Sequence, residues 1–227
     1  MRFNYIMQIS ESTLKILDNF SKINQNLMLK EGNHLVTINV ENTVLAEANV
    51  EDAFPQEFGV YDLSEFLNTI AMFKQPELSF NGDVLTISDG SESSMKTRYY
   101  AANPAILTQT PNGINVPDGG ASFLLTKDNF KKLEKGGNTL KLRDLKFVGK
   151  DGVITATVYD ADEAIKNTVS LELTDNYTGG DFDATLKLVK MVILDGDYEC
   201  KIIANRAIEL TNTKQDLRYV ISLDAKS

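Results

Sequence analysis

Nine lysines are the residues whose type and spacing most suggest chemistry. Lys127, Lys131 and Lys135 recur at i, i+4 and i+8, with Lys132 adjacent, so a helix would carry them as one stripe. Lys15 and Lys22, Lys74, and Lys187 with Lys190 fall in three further segments that read as helical. A lysine ammonium is a strongly hydrated point charge on a flexible stem, which attracts phosphate without the bidentate lock of arginine. Contacts to phosphate carry no sequence information. The competing reading is a solvated helix face, where lysine is common.

Nothing else in the chain is spaced for catalysis. His34 is the only histidine and precedes a strand, so it reads as a loop or edge residue. Cys200, in YECKII, reads as a small packed apolar residue. As the single cysteine it forms no intrachain disulfide, which fits a reducing interior. Asp160, Asp162 and Glu163 cluster in YDADEA but lack the glycine and distal glutamate of a calcium loop. Tyr99 and Tyr100 could stack on bases, yet alternating strands use tyrosine routinely. No nucleophile–base pair, metal-spaced set or phosphate loop stands out. The expectation is no catalytic residue, no metal and no cofactor.

The chain has 227 residues, 42% hydrophobic and 24% charged, enough for one large domain or two modest ones. No apolar run approaches the roughly 18 residues of a membrane span, and Met1 to Ser10 lacks the features of a secretory signal. The net charge of −9 argues against direct affinity for nucleic acid, which depends on cations replacing counterions at phosphates. Its distribution is uneven. The four helix segments hold nine lysines against seven carboxylates and sum to +2, which leaves −11 elsewhere.

The largest break in pattern is Ala102 to Gly120 (ANPAILTQTPNGINVPDGG), with three of the five prolines and three glycines. It reads as an extended connector. The expected organisation is a domain over 1–102, a connector over 103–120 and a second domain over 121–227. Helices are expected over Glu11–Ile23, with Ile16, Phe20 and Ile23 on one face and Lys15, Asp18, Asn19 and Lys22 opposite, and over Asp62–Lys74, Lys127–Lys135 and Asp183–Met191. Short alternating strands follow each: NLMLK, LVTINV and VLAEANV; ELSF, VLTIS and MKTRYYA; TLKL, LKFVG, VITATV and TVSLEL; YECKII, AIELT and LRYVISL. Asn81-Gly82 suggests a type I′ hairpin and Asp151-Gly152 a turn. Helix-then-strands thus occurs four times in two pairs, with strand exceeding helix: an α+β chain of two similar domains.

The segment from Asn19 to Asp52 carries an NF…IN…LMLK…G run and AEAN at Ala46–Asn49. VYDLSEFLNTI at Val60–Ile70 matches an IYDL-x-x-FL pattern, and YVISLDA closes the chain. In these features, strongest over residues 8 to 75, the chain resembles the DNA sliding clamps of T-even-type bacteriophages. MRFNYIM extends before the point where such proteins usually begin, which leaves Met1 and Met7 as alternative starts.

The resemblance implies the clamp fold: two similar domains per subunit, closed head to tail into a homotrimeric ring, antiparallel sheets outside and four short helices inside. The nine lysines would then face double-stranded DNA. The implied partners are a replicative DNA polymerase, an ATP-dependent clamp loader and RNA polymerase-associated late-transcription factors, in the cytoplasm of an infected bacterium. Subunits would join through Met95–Ala101, with Lys96, Arg98 and Tyr100, and Asn167–Leu173, with Val169, Leu171 and Glu172. Partner peptides would enter a pocket bordered by Val40, Val44, Ile106, Leu107, Ile114, Val116, Leu223 and Ala225. Competing readings are a β-rich structural or assembly protein of a phage virion and, more distantly, a hydrolase.

Overall fold

The computed structural model describes residues 5–89, 95–111, 120–162, 167–204 and 206–225. The chain divides into two compact units, Met1–Pro111 and Asn112–Ser227.

The first unit runs β1 (Tyr5–Met7), α1 (Glu11–Ile23), β2 (Leu27–Leu29), β3 (Gly32–Ile38), β4 (Val44–Phe54), β5 (Phe58–Val60), α2 (Leu63–Ala71), β6 (Glu77–Asn81), β7 (Val84–Ser88) and β8 (Lys96–Tyr100). β1-β6-β7-β8 form an antiparallel sheet, β3 pairs with β4, and β2 pairs with β5. α1 begins where Ser10 Oγ accepts the Thr13 N–H. Asp52, at the far end of β4, accepts from the Ser10 N–H at 2.8 Å and the Ser10 hydroxyl at 2.7 Å. Burial alone would raise the Asp52 carboxyl, but hydrogen bonds from Thr13 and Ser10 outweigh it and hold the group below its ordinary range. The start of α1 is thereby fixed to its strand. Thr13, Ile16, Leu17 and Phe20 turn inward. Asn19, expected on the exposed face, is buried with them.

The second unit runs β9 (Ser122–Leu125), α3 (Lys127–Leu140), β10 (Asp144–Lys150), β11 (Val153–Tyr159), β12 (Val169–Thr174), β13 (Phe182–Lys187), a 3-10 turn at Leu188–Lys190, β14 (Tyr198–Ile203), β15 (Ala207–Asn212) and β16 (Leu217–Ser222). One antiparallel sheet is ordered β12-β11-β10-β13. β9, β14, β15 and β16 pair antiparallel in that order. Phe123 of β9 meets Phe147 of β10 at 5.0 Å between ring centroids and stacks on Phe182 of β13 at 6.2 Å. Such pairs add to the area that the rings bury.

The α+β architecture stands, with three corrections. Among the described residues there are three α-helices, not four. Residues 183–191 alternate instead: Phe182, Ala184, Leu186 and Leu188 repeat with period two, and β13 buries Ala184 and Leu186 against β10. TLKL is not a strand, because α3 runs on to Leu140 and closes on Lys141 in the left-handed region at φ 55°. The first hairpin turns on Gly82-Asp83, with Asn81 paired to Val84 and a positive φ at Gly82 alone, the type II′ arrangement. At Asp151-Gly152 both φ values are positive, as a type I′ turn requires. Strands β1, β5 and β9 were not expected. Each has three or four residues, too short for alternation to register.

α3 passes through Gly136-Gly137, a pair that reads as a helix stop. It continues because the helix lies against the sheet there. A Cβ at Gly136 would stand 2.7 Å from Val169 Cγ2 and 2.9 Å from its Cγ1, and one at Gly137 would stand 2.5 Å from Leu188 Cδ2. Val169 is stiff and held in β12, whereas the Leu188 methyl ends a side chain that can turn. Gly136→Ala is therefore expected to lower stability by about 1 kcal/mol. Overpacking of about 1–3 kcal/mol exceeds the helix-propensity gain of about 1 kcal/mol. Gly137→Ala should cost less. Denaturant titration of both variants checks the order, and equal stabilisation by both would contradict this packing.

Candidate nucleic-acid face, strand edges and pocket

The lysine positions divide by element. On α1, Lys15 lies 3.8 Å from Glu11 and Lys22 lies 2.7 Å from Asp18, all exposed. The helix carries as many carboxylates as lysines. α2 buries Leu63, Phe66 and Ile70 and carries no lysine, since Lys74 falls beyond its Met72 cap. α3 carries four lysines against Asp128 and Glu134, so the cationic excess of the helices resides there. Lys127 and Lys131 meet the same carboxylate, Asp195, at 2.9 and 2.8 Å. Lys132 pairs with Asp128 at 2.6 Å. Lys135 has no carboxylate partner among the described residues.

Lys187 and Lys190 sit on no helix. Lys187 ends β13, and its ammonium binds the buried Asp144 carboxylate, a hydrogen bond that raises the lysine above its ordinary range. Lys190 lies in the 3-10 turn, 18% exposed, and reaches Asp224 at 2.9 Å and the Ser222 carbonyl at 3.3 Å. These two ammoniums tie β13 and the C-terminal segment to their neighbours, although the Lys187 side chain stays 45% exposed.

Both strands expected to join subunits are sheet edges. β8 pairs only with β7 in its sheet, and β12 only with β11. On β8 the outward residues are Lys96, Arg98 and Tyr100, the last 65% exposed. On β12 they are Ser170 and Glu172, while Val169 and Leu171 turn partly inward. Each edge has a helix behind it. Phe66 of α2 packs edge-on to Tyr99 at 5.3 Å, and α3 lies on β12 through Gly136 and Val169. Tyr99 also donates to the Asp62 carbonyl at 3.3 Å, so its ring is engaged within the unit.

The residues expected around a peptide pocket behave differently from one another. Leu107 is buried, lies against Gly59 and pins the chain after β8 to the first unit. Beside it the Thr108 N–H donates to Asn26 Oδ1 at 2.8 Å, and Asn24 bridges the Ile38 carbonyl and the Thr108 hydroxyl. Val44 is buried, while Val40 at the β3–β4 turn and Ile106 are 78% and 60% exposed. Leu223 and Ala225 line a cavity of about 460 Å³ in the second unit with Asp144, Asp183, Lys187 and Asp224. Ile114 and Val116 lie outside the described residues, as does Glu163.

His34 is within β3, exposed, 3.0 Å from Asn49 Oδ1. Cys200 is buried, and burial pushes its thiol well up. Asp160 and Asp162 both receive Arg143. Among the described residues no group of three or more His, Cys, Asp or Glu side chains is arranged to hold a metal, and no helix is long and apolar enough to cross a membrane. Sequence reasoning missed the loop Asp195-Gly196-Asp197. It read as a turn, but Asp197 accepts the Lys127 N–H at 2.8 Å while Asp195 holds two α3 lysines. No local pattern announces a pairing across 64 residues.

The family model for DNA polymerase processivity factor matches residues 10–108. The sliding clamp of Vibrio phage KVP40 is 30% identical over 201 residues, covering 86% of this chain and 90% of that protein. The sliding clamp of Enterobacteria phage T4 is 25% identical over 227 residues, covering 97% and 98%. Among solved structures the fold is similar to A. fulgidus PCNA, determined with a C-terminal region of FEN-1 bound, at a TM-score of 0.71 and 12% identity over 99% of both chains.

The α3 face yields a direct test. Lys131→Glu with Lys135→Glu changes exposed residues, so melting should stay near that of the unaltered protein. If α3 faces DNA as the sequence reading expects, loader-dependent primer extension should fall by about tenfold, because two cations become anions. Unchanged extension would remove α3 from the DNA-facing set.

Proposed function

The chain belongs to the sliding clamps of T-even-type phages, and from that premise we propose how it assembles and what its surfaces meet. It is a processivity factor of the phage DNA polymerase, acting on DNA, and not an enzyme. Family membership replaces the virion-component and hydrolase readings. The proposed assembly is a homotrimer closed head to tail, β8 of each subunit adding to β12 of the next. Lys15 and Lys22 of α1, and Lys127, Lys131, Lys132 and Lys135 of α3, then face the enclosed duplex, with Lys74 near them. An ATP-dependent loader opens and places the ring in the cytoplasm of the infected host, and late-transcription factors bound to RNA polymerase use it as well. Peptide tails of these partners dock beside Val40 and Ile106, and near Leu223 and Ala225.

The observation that carries the assembly is the pair of sheet edges. An unpaired edge strand is an aggregation liability that natural proteins blunt or cover. β8 and β12 are both edges of ordinary length, and their outward charges are opposite: Lys96 and Arg98 on one, Glu172 on the other. Pairing would satisfy both rows of backbone groups, and closure at three subunits would leave neither β8 nor β12 unpaired. Domains 1–102 and 121–227, joined by 103–120, contribute one edge each.

Exposed charge pairs contribute little singly, about 0.2–1 kcal/mol, but opposite charges across a joint also set register. Lys96→Glu with Arg98→Glu is expected to weaken association by at least about tenfold, with monomers appearing in sedimentation velocity. Adding Glu172→Lys should restore part of it. A trimer of undiminished stability in the double variant would overturn this joint.

A further inference from the structure

We infer that Asp195 is a positioning residue that moderates the grip of α3 on DNA, by holding Lys127 and Lys131 on one carboxylate in place of a phosphate. The inference rests on the proposed DNA-facing role of α3. The geometry is specific: two ammoniums one helical turn apart converge within 2.9 Å of a single Oδ2. The carboxylate comes from outside the helix, on the loop before β14, and the same loop anchors the helix start through Asp197 and the Lys127 N–H. Asp195 therefore keeps a fixed relation to the lysine stripe as a side chain free to swing away would not.

A carboxylate so placed competes with phosphate for the same donors. All three side chains are about half exposed, Lys127 at 49%, Lys131 at 51% and Asp195 at 59%. In solvent such pairs are weak, so a passing phosphate can displace the carboxylate and the carboxylate can reclaim the lysines. The exchange lowers the difference in energy between successive positions along the duplex. A clamp must move along DNA without dwelling. Lys132 is treated the same way by Asp128, which leaves Lys135 as the α3 lysine without such a competitor among the described residues. A purely structural role, in which Asp195 only secures its loop, would make the stability of the fold depend on it but not the salt dependence of DNA binding.

The test is the salt dependence of binding to a short fluorescent duplex, measured by anisotropy for Asp195→Asn and Asp195→Ser. Asp197 is left intact in both, and trimer formation and melting are checked alongside. Freeing two ammoniums per subunit should tighten binding at low salt. It should also enlarge the loss of affinity between 50 and 200 mM salt by at least about tenfold, the value for one subunit's two added phosphate contacts at a slope of about 0.9 each. Lys127→Gln with Lys131→Gln in the Asp195→Asn background should abolish the gain. Binding equal to that of the unaltered protein, including no measurable binding by either, overturns the inference. So does a gain that persists without the two lysines, because it would report net charge alone. Lys127→Gln with Lys131→Gln in the otherwise unaltered protein tells the failures apart. Weaker duplex binding would keep α3 on the DNA and discard only the Asp195 role, whereas no change would discard the DNA-facing helix as well.

Discussion

Charge is the constraint on which the remaining features depend. A chain of net charge −9 that acts on DNA is repelled at long range by the molecule it must attend. Affinity of the ordinary kind would need a cationic surface that outweighs this repulsion. The surface here is modest: α1 is neutral in sum, α2 carries one carboxylate and no lysine, and only α3 holds a lysine excess. Five of the six lysines on α1 and α3 already share a carboxylate. Such a surface suits a duplex held by enclosure. In the proposed ring its ammoniums would keep the axis centred without a fixed register, and lysine rather than arginine fits that purpose.

Enclosure moves the energetic burden from the DNA contact to the subunit joint. The strands proposed for the joint are edges, and each is backed by a helix of its own unit. Behind β8 the packing runs through Phe66 and Tyr99; behind β12 it runs through Gly136 and Val169. The glycine matters because it brings a lysine-bearing helix into direct contact with the edge strand β12. A side chain there would push one or the other away. The helix proposed to face the duplex and the strand proposed for the joint are thus packed as one piece in the second unit.

The first unit was largely legible in the sequence. Its helices carry strong 3.6-residue periodicity and most of its strands alternate, while the caps, Ser10 and Asp62, are fixed by the structure. The second unit was harder to read for identifiable reasons. Between Phe182 and Leu188 the apolar residues sit at every second position, but interspersed lysines at 187 and 190 imitate a helix face. Gly136-Gly137 imitates a helix stop until the sheet beneath it is known. Lysine identity was visible; the carboxylates that share those lysines were not, because Asp195 is remote in sequence and Asp224 lies near the chain's end. Apolar residues after β8 drew attention to Ile106 and Leu107 equally, and only packing distinguishes the buried one from the exposed one.

The central claim, that DNA is retained by enclosure and not by affinity, is tested most directly on circular DNA. Fluorescent protein is loaded by the loader and ATP onto a nicked circle, free protein is removed, and the retained signal is followed in high salt before and after a single restriction cut. The account predicts that the protein stays on the intact circle through the salt challenge and leaves once the cut gives it an end to slide from. Loss from the intact circle in salt, or retention on the linear product, would contradict it.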